Sequence, residues 1–231
     1  KKTQLYQMSK TFASYWNLAS KAVCVGRNYV AHVKELNNTV PSHPFFFLKP
    51  ASAFLPLKGD VVIPGYGEDL HHEVELCVII GRNAKDVKAK DAMDYVAGYS
   101  VGLDMTLRDV QNEKKKKGLP WTEAKAFDTS LALGPFIPKE KVENPNDLEL
   151  WFSVDGSIRQ EDSTKLMIYD VPTLIEAASR VMTLGTGDIL CTGTPQGVSR
   201  VLPGQVMRAG IKGYESSDVK FGVVSSSSAK E

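Results

Sequence analysis

The stretch LHHEVELCVIIG, residues 70–81, decides the fold, because it places two glutamates one residue apart inside an apolar run. Its second half is almost continuously apolar, which is typical of a central strand that is buried on both faces. Side chains two residues apart in a strand lie on one face, so Glu73 and Glu75 project together while Val74 and Leu76 enter the opposite layer. The pair is either the polar face of a half-exposed strand or part of a metal site that needs adjacent carboxylates.

A second apolar segment, YVAGYSVGLDM at residues 95–105, predicts another strand. Its two glycines indicate either a bend or the close approach of a neighbouring backbone. Asp104 closes this strand immediately before a predicted helix and can supply a third carboxylate. Three carboxylate oxygens suit Mg²⁺ or Mn²⁺ better than zinc. The adjacent His71 and His72 point in opposite directions along a strand, which disfavours a zinc site.

Strand and helix patterns follow one another irregularly along the rest of the chain. Further strands are predicted at 22–26, 45–49 and 60–64, at the start of 188–198, and in a hairpin over 148–160 that turns at Asp155-Gly156. Helices are predicted at 29–36, 106–118 and 170–184. Because regular strand–helix alternation and a glycine-rich phosphate loop are both missing, the sequence predicts a strand-rich α+β fold and not a doubly wound one.

Local capping signals set the expected bounds of two helices. Asn28 is a candidate N-cap for the first helix. Thr106-x-x-Asp109 is close to a capping box, and Gly118 is a natural C-cap for the same helix.

Composition and charge exclude several classes of protein. With 231 residues, 42% of them hydrophobic, the chain can bury a substantial core. Its formal net charge of +1 provides no field for nucleic acid or an anionic membrane, and no apolar stretch approaches the about 20 residues of a membrane span. The lysine run at 114–117 is interpreted as the solvated end of a helix and not as a phosphate-binding patch. The cysteines, Cys24, Cys77 and Cys191, are interpreted as buried thiols in a reducing compartment.

The segment Gly98-Tyr99-Ser100-Val101-Gly102 spells G-x-S-x-G, the pattern of a serine-hydrolase nucleophile elbow. That fold needs a histidine after the serine and a sharp turn at the serine. The last histidine of the chain is His72, and Ser100 lies in the middle of a predicted strand. The sequence therefore disfavours a serine hydrolase.

Two residue pairs on predicted helices are open to two interpretations. Arg108 and Gln111 share one helix face, and so do His32 and Glu35. Each pair is either an ordinary surface pair or part of a site. In the second case the Arg108 pair contacts a ligand bound to the metal, and Glu35 raises the basicity of His32 so that the histidine acts as a general base.

Together these segments resemble the fumarylacetoacetate hydrolase family, especially its small single-domain members, in the same order from about residue 20 to about residue 212. The segments that carry the resemblance are CVGRNYVAHVKEL, FFFLKP, LHHEVELCVIIG, AMDYVAGYSVGLDMTLRDVQ, KKGLPWTEAKAFD and TGTPQGV. The resemblance implies a mixed β-sandwich roll, a homodimer and a Mg²⁺ or Mn²⁺ cofactor. Ala126 occupies a position where relatives often have serine, and no chemistry is expected to depend on it.

The resemblance also implies roles for individual residues. The expected metal ligands are Glu73, Glu75 and Asp104. The expected catalytic residues are His32 and Glu35, on a lid helix that Gly26 and Pro41 bracket as possible hinges, and Lys125 of the W-x-x-A-K motif. The expected substrate contacts are Arg27, Arg108, Gln111 and Thr194.

The implied activity is metal-dependent chemistry on small 2-oxo acids. The expected reactions are hydrolysis of acylpyruvates to pyruvate and a carboxylic acid, decarboxylation of oxaloacetate, and keto–enol tautomerisation of oxaloacetate. The sequence does not rank these reactions. A non-catalytic metal-binding protein of the same fold and an isomerase or dehydratase acting on sugar acids remain alternatives.

Residues 21–224 are expected to form the catalytic domain, with an N-terminal extension at 1–20 and a flexible serine-rich tail at 225–231. The N-terminal residues are basic, and no acidic residue precedes Glu35. This pattern is similar to a transit peptide, although it is rich in lysine instead of arginine. A mitochondrial location is therefore expected, with a cytoplasmic one as the alternative.

Overall fold

The computed structural model of the protein describes residues 11–226 and has the strand-rich α+β architecture expected from the sequence. Its strands are β1 (Lys21–Val25), β2 (Phe46–Pro50), β3 (Phe54–Pro56), β4 (Asp60–Ile63), β5 (Leu70–His71), β6 (Val74–Ile80), β7 (Val96–Asp104), β8 (Thr106–Leu107), β9 (Leu131–Leu133), β10 (Ile137–Pro138), β11 (Glu149–Val154), β12 (Ser157–Ser163), β13 (Ile189–Cys191), β14 (Val206–Ile211) and β15 (Tyr214–Ser225). The α-helices among the described residues are α1 (Val30–Glu35), α2 (Arg108–Lys117), α3 (Thr122–Lys125) and α4 (Val171–Val181). Short 3₁₀ turns occupy Tyr15–Asn17, Ala51–Ala53, Ala89–Tyr95, Lys139–Lys141 and Thr164–Leu166.

Both terminal segments predicted from the sequence lie partly outside this range. Residues 1–10 of the predicted extension and residues 227–231 of the predicted tail are not among the described residues. Within the described part of the extension, Phe12 and Tyr15 are buried, and the Tyr15 hydroxyl donates a hydrogen bond to the Gly134 carbonyl at 3.0 Å. None of the described helices is long and apolar enough to cross a membrane.

The larger sheet has the strand order β2-β1-β13-β6-β7-β9-β3, with β10 also paired to β7. Strands β6 and β7 are antiparallel neighbours at its centre, and every residue of both is buried. The central position predicted from the apolar run is therefore confirmed. The pairing matters for the site, because it brings the start of β6 beside the end of β7.

The smaller sheet has the order β12-β11-β14-β15-β4 and packs against the larger one. Val74 and Leu76, on one face of β6, share a continuous apolar core with Phe152 of β11 and Phe221 of β15. The two sheets thus form a mixed sandwich, and a short ribbon of β5 and β8 lies outside both.

Close backbone approach explains one of the glycines in β7. A β-carbon on Gly98 would lie 2.2 Å from the Ile137 carbonyl oxygen of β10. Gly98 and Pro138 are register partners in this pairing. Of the two alternatives left open by the sequence, a bend or a close backbone approach, the second is the one found at Gly98.

Two local turn predictions are confirmed by the backbone. Gly118 ends α2 in the left-handed region with φ of 65°. Asp155 and Gly156 have φ values of 49° and 83°, as a type I′ turn between β11 and β12 requires.

The N-cap predictions are wrong for the first two helices. Tyr29, without a side-chain capping bond, occupies the N-cap position of α1, and Leu107 occupies that of α2. Asn28 instead joins distant loops, since its amide donates to the Thr192 carbonyl at 2.8 Å and to the Tyr169 carbonyl at 3.0 Å. The Thr106 hydroxyl donates to the Asp104 carbonyl at 3.1 Å. Both side chains satisfy buried backbone groups elsewhere, so they are not available to the helix ends.

The cysteines are buried, as expected, and the sheet register aligns them. Cys24 of β1 pairs with Cys191 of β13, which pairs with Cys77 of β6. Ser100 lies within β7, and its hydroxyl donates to the Val101 carbonyl at 3.1 Å. Ser100 therefore lacks the exposed turn of a nucleophile elbow.

Candidate active site

Three carboxylates converge where β6 begins and β7 ends. Glu73 directly precedes β6, Glu75 lies within it, and Asp104 is the last residue of β7. The Asp104 amide donates to the Glu73 carbonyl at 2.9 Å, which fixes the two strand ends side by side. One oxygen of each carboxylate lies within 4.8 Å of the others, and all three residues are buried. The interpretation of the glutamate pair as an exposed strand face is therefore wrong.

Cations surround one end of this carboxylate cluster. The Lys125 ammonium, at the end of α3, donates to Oε2 of Glu73 and to Oδ2 of Asp104, both at 2.7 Å. The Arg108 guanidinium, in the first turn of α2, donates to Oε1 of Glu73. Burial by itself would raise the pKa of Glu73, but the charges of Lys125 and Arg108 outweigh it and hold that pKa well below its usual value.

Glu75 lies at the other end of the cluster, without a cationic partner among residues 11–226. Its Oε2 accepts a hydrogen bond from the Gly193 amide at 2.8 Å. Burial, followed by repulsion from Asp104 and Glu73, raises the pKa of the Glu75 carboxyl well above its usual value. Glu75 is therefore the carboxylate of the cluster that forms no ion pair with a cation of the described residues.

One oxygen of the cluster also lacks an aligned donor. The Lys49 ammonium lies 2.8 Å from Oδ1 of Asp104 but donates to the backbone carbonyls of Met105 and Ser130, at 3.1 Å and 2.9 Å. Oδ1 is buried and has no hydrogen bond. Three converging carboxylates, of which one has a buried oxygen without a hydrogen bond and another has no ion-pair partner, are the features of a divalent-cation site. The residues present fit Mg²⁺ or Mn²⁺.

Lys49, for which no role was expected from the sequence, is fully buried beside the cluster. Its ammonium donates to the backbone carbonyls of Met105, Lys125 and Ser130, and so fixes the segments that carry Asp104 and Lys125. The sequence offered one indication of this role, because Lys49 ends the apolar run FFFLK and a lysine in a buried strand needs partners for its charge.

His32 and Glu35 form the hydrogen-bonded pair expected on the first helix. Nδ1 of His32 lies 3.1 Å from Oε2 of Glu35, and Oε1 of Glu35 accepts a hydrogen bond from the Gly197 amide at 2.9 Å. The second bond ties α1 to the loop that follows β13. Burial would raise the pKa of Glu35, but the hydrogen bonds from His32 and Gly197 lower it overall, so the carboxylate is ionised at neutral pH.

Arg108 and Gln111 are both buried, so the interpretation of this pair as a solvated helix surface is wrong. Nη1 of Arg108 donates to Oε1 of Gln111 at 2.7 Å. The same arginine contacts Glu73, so α2 presents a fixed donor pair beside the carboxylates.

Thr194 belongs to the loop after β13, and Gln160 of β12 positions it. Nε2 of Gln160 donates to Oγ1 of Thr194 and to the Pro195 carbonyl, both at 2.8 Å. Oε1 of Gln160 accepts from the Val74 amide at 3.0 Å and lies 2.9 Å from Nδ1 of His72. One buried amide thus joins this loop to the strand of the glutamates. The polar strand SIRQEDS gives no pattern that distinguishes this glutamine.

A single pocket collects nearly all of the predicted site residues. It is lined by Arg27, His32, Glu73, Glu75, Arg108, Gln111, Lys125 and Thr194. Glu35 and Asp104 support this lining through His32 and Lys125. Lys115, which was expected at the solvated end of its helix, and Trp121 also line the pocket.

The sequence profile of the family described as fumarylacetoacetate (FAA) hydrolase, C-terminal, matches residues 21–222. Oxaloacetate decarboxylase, mitochondrial, from Dictyostelium discoideum is 50% identical over 91% of this chain and 96% of its own length. Oxaloacetate tautomerase FAHD1, mitochondrial, from Bos taurus is 48% identical over 92% of this chain and 96% of its own length.

Solved structures agree with the fold described above. A putative fumarylacetoacetate hydrolase family protein from Yersinia pestis superimposes with a TM-score of 0.85 at 38% identity, over 89% of this chain and 94% of the other. Fumarylpyruvate hydrolase from Pseudomonas aeruginosa, in complex with Mn²⁺ and pyruvate, gives a TM-score of 0.84 at 36% identity, over 89% and 90% of the two chains. The chain therefore belongs to the fumarylacetoacetate hydrolase family.

Proposed function

We propose that the protein is a metal-dependent enzyme acting on small 2-oxo acids, with oxaloacetate tautomerisation and decarboxylation as its reactions and acylpyruvate hydrolysis as a further activity. The observation that carries the proposal is the buried cluster of Glu73, Glu75 and Asp104 in a pocket that also contains His32. Curated relatives named as oxaloacetate decarboxylase and oxaloacetate tautomerase support the first two activities. The solved relative named as a fumarylpyruvate hydrolase supports the third.

Glu73, Glu75 and Asp104 are the proposed ligands of Mg²⁺, or alternatively Mn²⁺. When bound, the cation supplies Lewis acidity that stabilises the negative charge of an enolate. The protein groups around it bind and orient the substrate and transfer protons.

Arg108, Gln111 and Lys125 are proposed to orient the acid. Their donor groups lie beside the carboxylate cluster, so an acid held there is fixed at its charged end. Lys125 also offsets negative charge that develops in the substrate, since its ammonium lies at the bottom of the pocket and is already fixed between two carboxylates.

His32 is the proposed base, and Glu35 its positioning partner. A hydrogen bond from Nδ1–H of His32 to Glu35 leaves Nε2 free to accept a proton. In hydrolysis His32 takes a proton from the attacking water. In tautomerisation it moves one proton to or from the carbon next to the keto group, and decarboxylation needs no attacking water.

The test follows oxaloacetate by ultraviolet absorbance while pyruvate is measured separately. Loss of the enol signal without pyruvate identifies a tautomerase, and matching pyruvate release identifies a decarboxylase. Turnover should require Mg²⁺ or Mn²⁺ and should stop with EDTA. Turnover of oxaloacetate and acetylpyruvate that persists in EDTA would contradict the proposal.

His32→Ala tests the base directly, with Lys34→Ala as a control on the exposed side of the same helix. We expect hydrolysis to fall about 100-fold or more in the His32 variant, the usual contribution of a general base. Hydrolysis at the wild-type rate would show that His32 is not the base.

The close relatives are named as mitochondrial proteins, and we propose that location for this chain; a fluorescent fusion in cells tests it against the cytoplasmic alternative. We propose residues 21–224 as the catalytic domain.

A homodimer is proposed because edge strand β2 exposes Leu48 to 43% beside an apolar concavity that Phe45 and Trp121 help to line. Light scattering after gel filtration measures the mass.

A further inference from the structure

Lys115 departs from the behaviour expected of the lysine run at 114–117. Lys116 is exposed, Lys114 pairs with Glu123 at 2.7 Å, and Lys117 pairs with Glu113 at 2.6 Å. Lys115 instead is half-buried and lines the pocket of the carboxylate cluster. It is therefore a pocket residue and not part of the solvated helix end.

The Lys115 ammonium has no hydrogen-bond or ion-pair partner among residues 11–226. It lies 5.2 Å from the centroid of the Trp121 ring. Burial, followed by repulsion from Arg108 and Arg27, lowers the pKa of Lys115 to about 8. An unpaired cation in this environment is stabilised by any anion that enters beside it.

Arg27 is a second cation of the same kind. Its guanidinium lies 5.7 Å from the centroid of the Phe45 ring and, within residues 11–226, has no acidic partner. Its backbone has φ of 59°, in the left-handed region that residues other than glycine seldom occupy. Such local strain is retained where the surrounding structure needs a side chain in one particular place.

Both cations line the same pocket, and each lies over an aromatic ring. Phe45 and Trp121 contact each other edge to face, with ring centroids 5.9 Å apart. The two charged groups are near enough for Arg27 to contribute to the lowered pKa of Lys115.

The other pocket cations are already engaged. Lys125 and Arg108 are ion-paired with Glu73, so they act at the end of the pocket where the carboxylates lie. Lys115 and Arg27 remain for a different negative charge. A 2-oxo acid held at the carboxylate cluster by its oxo-acid end presents the opposite end of its chain to the rest of the pocket.

We propose that Lys115 and Arg27 form a second anionic subsite, which binds the distal carboxylate of a dicarboxylic 2-oxo acid and gives such acids preference over acids with an uncharged tail. The inference rests on the proposed function for the identity of the 2-oxo acid end. Lys115 is thereby a specificity-determining residue, because an uncharged tail leaves its ammonium and the Arg27 guanidinium unpaired.

Binding of malate and lactate tests the subsite without turnover. The two probes share a 2-hydroxy acid end, and malate alone has a second carboxylate. In titration calorimetry with Mg²⁺ present, we expect wild-type protein to bind malate about tenfold more tightly than lactate, the effect of one hydrogen-bonded ion pair. Lys115→Gln and Arg27→Gln should each remove most of that advantage, while Lys116→Gln, at the exposed neighbouring position, should keep it.

Equal binding of the two probes by wild-type protein would overturn the inference, and so would a malate advantage that survives the Lys115→Gln, Arg27→Gln double variant. A kinetic arm separates this result from the proposed function. Lys115→Gln should raise KM for oxaloacetate about tenfold and change KM for acetylpyruvate less than about twofold, for the same reason. If wild-type protein turns over neither substrate but the malate advantage depends on Lys115, the proposed function fails and the subsite stands.

Discussion

Glu75 is, at the scale of one residue, the position where the proposed metal site should cost folding stability. Its charge faces two other carboxylates, and its hydrogen bond from Gly193 compensates only part of the repulsion. We expect Glu75→Gln to keep or raise the melting temperature in EDTA, because the variant removes the repulsion. The increase in melting temperature on adding Mg²⁺ should disappear.

Activity of Glu75→Gln should fall by more than the about 10–100-fold that is typical for residues supporting a metal site. Melting curves with and without Mg²⁺ measure both effects, and Glu68→Gln, at an exposed acid, serves as the control. A Mg²⁺-dependent shift that survives in Glu75→Gln would contradict the assignment of Glu75 as a metal ligand.

Gln160 is the residue whose importance only the contacts reveal. We expect Gln160→Leu to destabilise the protein by about 1–3 kcal/mol, because the buried Val74 amide and Pro195 carbonyl lose their partner. Thr194 also loses its donor, so kcat/KM should fall even at temperatures where the variant is fully folded. Denaturant unfolding and kinetics measure both, with exposed Arg159→Leu as the neighbouring control.

At the scale of single elements, β7 depends on the absence of a side chain at Gly98. A methyl group there would meet the Ile137 carbonyl at 2.2 Å, so Gly98→Ala must push β10 away or shift β7. We expect a loss of at least about 3 kcal/mol in unfolding free energy, at the upper end of overpacking effects. At Gly118 a β-carbon would meet no atom within 4 Å, and only the φ of 65° disfavours a side chain. Gly118→Ala should therefore lower the unfolding free energy by about 1 kcal/mol. Equal losses in the two variants would contradict the backbone-contact explanation.

Helix α1 is the element expected to move during turnover. It has six residues and is held to the loop after β13 by the bond between Glu35 and Gly197. If it is a lid, oxalate binding should slow hydrogen exchange across residues 27–40, because the bound acid draws the helix over the pocket. The hairpin of β11 and β12 should be unaffected. Exchange at 27–40 that does not change with oxalate would contradict closure.

At the scale of the whole molecule, Asp188 ties the N-terminal segment to the central sheet. Its carboxylate accepts hydrogen bonds from the Ser20, Lys21 and Gly185 amides and an ion pair from the Lys21 ammonium. Burial would raise the pKa of Asp188, but these bonds outweigh it and lower the pKa below its usual value. A carboxyl with a lowered folded-state pKa contributes stability above its unfolded pKa and loses it as pH falls through the folded one.

Asp188→Asn should therefore lower stability by about 1–3 kcal/mol at pH 7, as expected for a buried carboxylate network. The difference from wild type should shrink as pH falls below about 4, because the unfolded carboxyl is protonated there while the folded one, with its lowered pKa, takes up its proton at still lower pH. Denaturant unfolding at pH 7 and at acid pH measures it. A difference that grows toward acid pH would show that the sign is wrong.

The sequence by itself determined the central strands, helices α1, α2 and α4 and the three carboxylates, because each depends on local periodicity; the short helix α3 that carries Lys125 was not predicted. Two glutamates one residue apart share a face in any strand, and Asp104 closes an apolar run that was predicted as a strand. The motifs that resemble the family also named His32, Lys125 and the substrate contacts.

Only the tertiary structure decided which polar residues share a pocket and which cations remain unpaired. Asn28 bonds backbone groups far away in the chain, and Thr106 bonds the carbonyl two residues before it, so neither caps a helix. Lys49 and Gln160 act from strands far away in the chain, and Lys115 lies inside the pocket while its neighbours do not. The physical reason is that burial and pairing depend on contacts between residues remote in sequence, whereas periodicity reports only which face of its own element a residue occupies.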